Sequence, residues 1–383
     1  MKALVFERKL AKFAAATVAG RFAPGSGAKV GPLKLKDLDV PDLIGPEWQI
    51  LKPRLSGICG SDLATIDGQS SRYFEPIVSF PFVLGHEVVG DLPDGSRAVL
   101  IPVLHCAIRG IDPVCAACAA GNINLCERIA FGHLEPGLQS GFCSDTGGGW
   151  SIAMVAHRDQ LFVIPDDLSD EDAVMIEPAA CAVHAARKVH CETAVVIGAG
   201  TLGLLTIAAL RAYGNVKTII ATAKYREQRS HALALGADTV VEPAELSRAV
   251  RSHTKSMVIG SQLTGGADCI VDCVGSTGSL TQALEVVGAG RDVLVVGMPA
   301  HVHLDLTTLW HRETALRGCY AYTRDDFAAA LDLVQRLNLG RLVSATYQLD
   351  RYEDAIVHAA NAGPRGAVKI AFDLRTEKQR KDY

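Results

Sequence analysis

The sequence predicts an α/β protein in which a doubly wound parallel sheet is joined to a mostly β domain. Three observations predict it. From about residue 193, apolar strand-like runs alternate with helical stretches. Before about residue 165, short β-like runs are broken by Gly, Pro and Asp. Between an apolar run and an apolar helix stands GAGTLG, residues 198–203. Alternating strands and helices call for a parallel sheet covered on both faces, because each crossover lays a helix on the sheet.

Taken in order, EWQILKPRLSG, FVLGHEVVGDL and SRAVLIPVL read as strands, with few helices among them. Ser169 then reads as a helix cap followed by acidic first-turn residues. TAVVI is a strand, TLGLLTIAALRAYG a helix, VKTIIATA a strand and YREQRSHALALGA a helix. TVVEP and ADCIVDCVG continue as strands; DDFAAALDLVQRLN is a helix and AVKIAFD a late strand. The expected organisation is a first domain over 1–165, a nucleotide-type domain over 166–318, and a return to the first domain over 319–383.

Composition sets the class. The chain has 383 residues, 49% hydrophobic and 21% charged, which is globular and long enough for two domains. A formal charge of -4 gives no basic field for nucleic acid. Glu7, Arg8 and Lys9 interrupt the place where a signal peptide carries its apolar centre. The uncharged stretch from Thr193 to Leu210 is broken by Gly198, Gly200 and Gly203, so strand, turn and helix explain it better than a membrane span. The expectation is a cytoplasmic protein with neither nucleic acid nor membrane as a partner. In a reducing compartment, eleven cysteines point to metal sites and small core residues before disulfides.

Gly198, Gly200 and Gly203 have the G-x-G-x-x-G spacing, in the strand-turn-helix setting that a dinucleotide site requires. The first glycine permits the turn and the second admits a pyrophosphate. The third lets helix and strand pack closely, and the helix opening at Thr201 and Leu202 faces the anion. The next strand ends without an acid: Thr222 and Ala223 are followed by Lys224, Tyr225, Arg226 and Arg229. A carboxylate would hold the ribose hydroxyl of NAD, whereas bases attract the 2′-phosphate of NADP, so NADP is favoured over NAD. Val274 and Gly297 are also assigned to the cofactor site.

SGICGSD supplies Cys59, Ser61 and Asp62; FVLGHEVVG supplies His86 and Glu87; MIEPAAC supplies Glu177. A mixed Cys, His and carboxylate set suits a catalytic Zn²⁺ that keeps one position open. Singly, each has a plainer reading: a small core cysteine, a core histidine, a helix N-terminal acid.

The order GICGSD, GHE, a cysteine-rich lobe, an EP-containing helix and GAGTLG resembles the medium-chain dehydrogenase/reductase superfamily. Its wording is most similar to the zinc-containing polyol, sugar and threonine dehydrogenase branch. The resemblance implies a GroES-like catalytic domain beside a Rossmann domain, and a hydride transfer between NAD(P) and a secondary alcohol or carbonyl. It implies that Cys59, His86 and Glu177 surround the catalytic zinc, with Glu87 able to ligate or exchange. It implies that Asp62 orients the imidazole and that Ser61 passes the substrate proton. Some relatives carry a histidine five residues after the zinc cysteine; here Ala64 stands there, which leaves the outer relay open. The family's structural zinc lobe reads C-x2-C-x2-C-x7-C, and Cys115, Cys118 and Cys126 reproduce its last three members. Cys106 is displaced, with eight residues before Cys115, and Asp112 sits at the usual spacing. Cys106 is preferred as the fourth ligand because thiolates are the commoner structural donors. A homodimer or homotetramer is the implied assembly. The competing expectations are a zinc-free NADPH-dependent double-bond reductase and a non-enzymatic nucleotide-binding protein.

Overall fold

The computed structural model describes residues 1–260, 262–298 and 301–381. They divide into two compact units, one of Met1–Glu177 with the chain from Val334 onward, the other of Pro178–Leu333. These limits fall later than 165 and 318. Each lies inside a helix, Ile176–Ala186 and Arg324–Leu337, so no Gly- or Pro-rich linker marks it.

The first unit opens with β1 (Lys2–Phe6), α1 (Leu10–Phe22), the short α2 (Gly27–Val30) and β2 (Leu33–Asp37). The helix α1 was not expected. LAKFAAATVAGRF is rich in Ala, the best helix former, but lacks the apolar-polar period that a pattern reading needs. Next come β3 (Trp48–Gly57) and α3 (Gly60–Ile66). β3 sits inside a seven-stranded sheet, between Lys369–Asp373 and Val88–Asp91, and also pairs with Met154–His157. The late strand thus returns to the first unit, as its position after residue 319 suggested. Ser169 caps its helix by accepting from the Asp172 N–H at 3.0 Å.

Below this sheet lies a buried ionic cluster. The fully buried Asp170 carboxylate accepts from Arg97 at 2.8 Å and Arg54 at 3.1 Å, with Arg375 at 3.5 Å. A lone buried carboxylate would be costly, and three guanidinium groups from three separate segments offset that cost.

The second unit is built on six parallel strands. From edge to edge they are Thr239–Val241, Thr218–Thr222, Thr193–Ile197, Ala267–Asp272, Val287–Val295 and Ala315–Gly318. The order reverses between Thr193–Ile197 and Ala267–Asp272, where doubly wound sheets open a crevice for ligands. A small antiparallel hairpin, Val258–Ile259 with Gln262–Leu263, is an addition that no expectation covered.

Candidate functional site

Cys59 ends the extended chain after β3 and caps α3. Its own N–H donates to Asp62 Oδ2 at 2.9 Å, so the helix start and the metal candidate share one carboxylate. Asp62 Oδ1 lies 3.4 Å from His86 Nδ1, and both residues are buried. That leaves the other imidazole nitrogen for a ligand, the division of labour that metal-binding histidines need. Neither Asp62 Oδ1 nor His86 Nδ1 has a well-formed hydrogen bond, so the pair rests on charge. Burial works against a charged His86; Asp62 and Cys59 overcome it and hold the imidazole pKa well above its ordinary value. The same negative environment attracts a cation.

Donor atoms of Cys59, His86 and Glu87 all lie within 4.8 Å of one another. A buried sulfur, nitrogen and oxygen set of this kind fits Zn²⁺. Glu177, the carboxylate expected in third place, is buried in the first turn of its helix but does not belong to this group. Glu87, next in the chain to His86, is the carboxylate grouped with Cys59 and His86. Glu177 instead adds its charge to those favouring a protonated Lys369.

Lys369 was missed by the sequence reading, which saw only an apolar strand. Its ammonium pairs with Glu87 Oε2, and its Nζ donates to the Ile58 carbonyl at 3.2 Å. Burial opposes the charge, but Glu87 and Cys59 raise the pKa. A Cβ on Gly57 would stand 1.9 Å from Glu87 Oε2, so only glycine lets this carboxylate reach the site. Ser61 lies half-buried in the first turn of α3, and its carbonyl accepts from the Thr65 hydroxyl. Phe142 closes one side, its ring centroid 6.0 Å from that of His86.

The cysteine lobe is separate. The four sulfurs of Cys106, Cys115, Cys118 and Cys126 lie within 4.8 Å of one another, and Asp112 is not among them. Cys106 and Cys126 sulfurs are 3.6 Å apart. The Cys115 N–H points at Cys106 Sγ and the Arg128 N–H at Cys126 Sγ, both at 3.4 Å. Such N–H groups stabilise thiolates, and the Glu127 backbone helps bring Cys115 down to about 6. Four cysteine sulfurs this close fit a structural Zn²⁺. The long spacing after Cys106 is taken up by a turn in which the Arg109 and Ile111 N–H groups return to the Cys106 carbonyl. Arg109 is fully buried and donates to the carbonyls of Leu104, Phe131, Leu134, Glu135 and Gly137.

In the second unit, Gly198 adopts φ +91°, and a Cβ on Gly203 would stand 1.7 Å from the Gly198 carbonyl. Thr201 opens the helix Thr201–Tyr213, followed by Leu202. Thr222 turns inward: its hydroxyl accepts from the Gly198 N–H at 3.0 Å and so shapes the glycine loop. Val274 and Gly297 are neighbours, and Val274 also borders Gly198. The loop through Val274 is held by Asp272, also missed by the sequence reading, whose buried carboxylate accepts from the Val274 and Gly275 N–H groups and the Ser279 hydroxyl. Burial raises its pKa, and those bonds oppose the rise. Lys224 and Arg226 are exposed beyond the strand end, whereas Arg229 is ion-paired to Glu242 at 2.8 Å.

Comparison with known proteins gives concordant matches. Residues 45–166 match the alcohol dehydrogenase GroES-like domain, and residues 201–336 the zinc-binding dehydrogenase family. D-xylulose reductase A of Aspergillus niger is 28% identical over 333 residues, covering 84% of this chain and 88% of that protein. The crystal structure of 2R,3R-butanediol dehydrogenase from Bacillus subtilis superposes with a TM-score of 0.72 at 23% identity, covering 97% and 99% of the two chains. Acetophenone reductase from Geotrichum candidum in complex with NAD gives 0.73 at 22% identity, with 97% and 96% covered. The chain belongs to the zinc-dependent alcohol dehydrogenase family of the medium-chain dehydrogenases/reductases, and is an NAD(P)-dependent oxidoreductase of that type.

Proposed function

We propose that this protein interconverts a secondary alcohol and its ketone, on a polyol, sugar or amino alcohol, with NADP(H) preferred over NAD(H). The grouping of Cys59, His86 and Glu87 beside Asp62 carries the reading. When bound, zinc supplies Lewis acidity toward the substrate oxygen and the nicotinamide takes or returns the hydride. Cys59, His86 and Glu87 are the residues that would hold the metal, with Glu177 as a further buried carboxylate. Asp62 fixes the His86 ring, so that its remaining nitrogen keeps a constant direction. Lys369 offsets the charge of Glu87, which keeps a thiolate and two carboxylates from crowding one site with uncompensated charge. Ser61 takes the substrate hydroxyl proton during oxidation and gives it back during reduction. With Ala64 in the outer position, Ser61 hands its own proton on to water, a ribose hydroxyl or another residue.

Cys106, Cys115, Cys118 and Cys126 would hold a second, structural zinc. The working form is proposed to be a cytoplasmic homodimer or homotetramer. The test is zinc per chain on purified, unchelated protein beside a Cys59→Ala variant. Two zincs falling to one, with turnover lost on alcohol and ketone panels, is the expected result. One zinc untouched by the substitution would overturn the catalytic site.

A further inference from the structure

We propose that α1 docks the protein reversibly on an anionic lipid surface. The helix is apolar on both sides. Its inner face carries Ala16 and Gly20, both buried, with Phe13 packed against the core. Its outer face, at helical spacing, carries Leu10, Ala11, Ala14, Ala15, Val18 and Phe22, all exposed. Leu10 is 78% exposed, Val18 60% and Phe22 86%. A surface helix ordinarily turns charge outward, so an apolar outer face marks something that covers it.

Charge says what that is. Residues 1–36 hold eight Lys or Arg and one acid, Glu7, in a chain whose formal charge is -4. Glu7 is already paired with Lys9 and Lys36, while Lys12, Arg21 and Lys29 make no ion pair among the described residues. Arg21 lies within the apolar face, and Lys29 on the adjoining α2. Exposed Leu, Val and Phe with unpaired bases beside them complement the apolar edge and the negative headgroups of an acidic membrane.

A second copy of the chain fits worse. A two-fold contact through α1 would bring bases against bases. The face is also small: thirteen residues at 1.5 Å each give about 20 Å by about 10 Å, or roughly 200 Å². A stable protein interface takes about 800 Å² per partner. A lipid surface has no such threshold, and a small apolar face plus a few charges gives weak, salt-sensitive binding. No helix among the described residues is long and apolar enough to cross a membrane, so the contact is peripheral. The expectation of no membrane partner rested on the lack of a spanning or signal segment, which does not test for a helix lying on the surface.

The experiment is co-sedimentation of the full chain with phosphatidylcholine vesicles, with and without roughly a quarter phosphatidylglycerol. Binding is expected only to the anionic vesicles, falling tenfold or more between about 0.05 M and about 0.5 M salt. Two variants, Val18→Ser with Phe22→Ser, and Lys12→Glu with Arg21→Glu and Lys29→Glu, should each lower it about tenfold or more. Their melting temperature and turnover should stay those of the parent, because Val18, Arg21, Phe22 and Lys29 are exposed and half-buried Lys12 makes no ion pair among the described residues. No binding at low salt would overturn the proposal, as would binding by both variants equal to that of the parent. So would loss of an oligomer on Val18→Ser with Phe22→Ser, or binding of an acidic soluble protein without any vesicle binding.

Discussion

The Lys369 ammonium and the Glu87 carboxylate form an ion pair in which each side chain is 2% exposed. Removing one partner strands a buried charge, which costs about 3–5 kcal/mol, whereas removing both restores neutrality. Lys369→Met should therefore lower the denaturation midpoint sharply, and adding Glu87→Gln should recover much of the loss. Urea unfolding of the parent, both singles and the double checks this. Additive losses would show that the pair does not act as a unit.

In the second unit, Asp326 accepts from His184 at 2.8 Å and from Arg187 at 2.7 Å. Burial pushes its pKa up, but the His184 and Thr323 hydrogen bonds win and bring it down from 3.8 to about 2. A depressed acid stabilises the fold above its unfolded pKa and loses that contribution as pH falls through the folded one. The window is therefore about pH 4 down to about 2, and the amount about 2 kcal/mol. Asp326→Asn should be less stable than the parent at neutral pH and should flatten the acid limb within that window. Melting temperatures measured across it would reveal an unchanged slope if Asp326 were not the group responsible.

Arg109 has no surface alternative. Its guanidinium donates to five backbone carbonyls, one before Cys106 in the chain and four after Cys126. Arg109→Lys keeps the charge but cannot spread donors over that fan, so both it and Arg109→Met should destabilise by about 3 kcal/mol or more. Thermal melts are the check, and a lysine variant as stable as the parent would reject the clamp.

Cys106 and Asp112 separate cleanly. The Cys106 sulfur closes the thiolate group, and Asp112 stands outside it. Cys106→Ser should lose the lobe zinc and melt earlier, and Asp112→Asn should keep both zinc and stability. Metal content of the two variants decides between them.

Much of this was legible in the chain because each signal was local. Gly198, Gly200 and Gly203 carry their own geometry, and Cys59 with Asp62 is a helix cap whose spacing is visible in GICGSD. What escaped was non-local or aperiodic. Lys369 meets Glu87 only because the Lys369–Asp373 strand pairs with β3, hundreds of residues away in sequence. Asp272 reads as one more strand residue until its carboxylate is seen under the Val274 loop. That Glu87 groups with Cys59 and His86 also depended on which carboxylate the fold carries to Cys59, and spacing does not encode that. α1 escaped for the opposite reason: its apolar residues are spread over every side, so no period betrays the helix.

The proposed preference for NADP rests on Lys224 and Arg226. Both are exposed beyond Thr222, and neither forms an ion pair among the described residues, unlike Arg229 with Glu242. Thr222 accepts from the Gly198 N–H, and no carboxylate stands at the strand end to hold a free ribose 2′-hydroxyl. Two unpaired bases there would meet a 2′-phosphate with charge-assisted hydrogen bonds worth about 1.5–3 kcal/mol each, which NAD cannot form. Lys224→Ala with Arg226→Ala should therefore raise the Kd for NADPH by about a hundredfold or more while changing that for NADH little. Fluorescence titration of both dinucleotides measures it without any substrate in hand. Equal weakening of the two would mean that these bases hold the shared pyrophosphate or the fold of the loop, and the preference for NADP would fall.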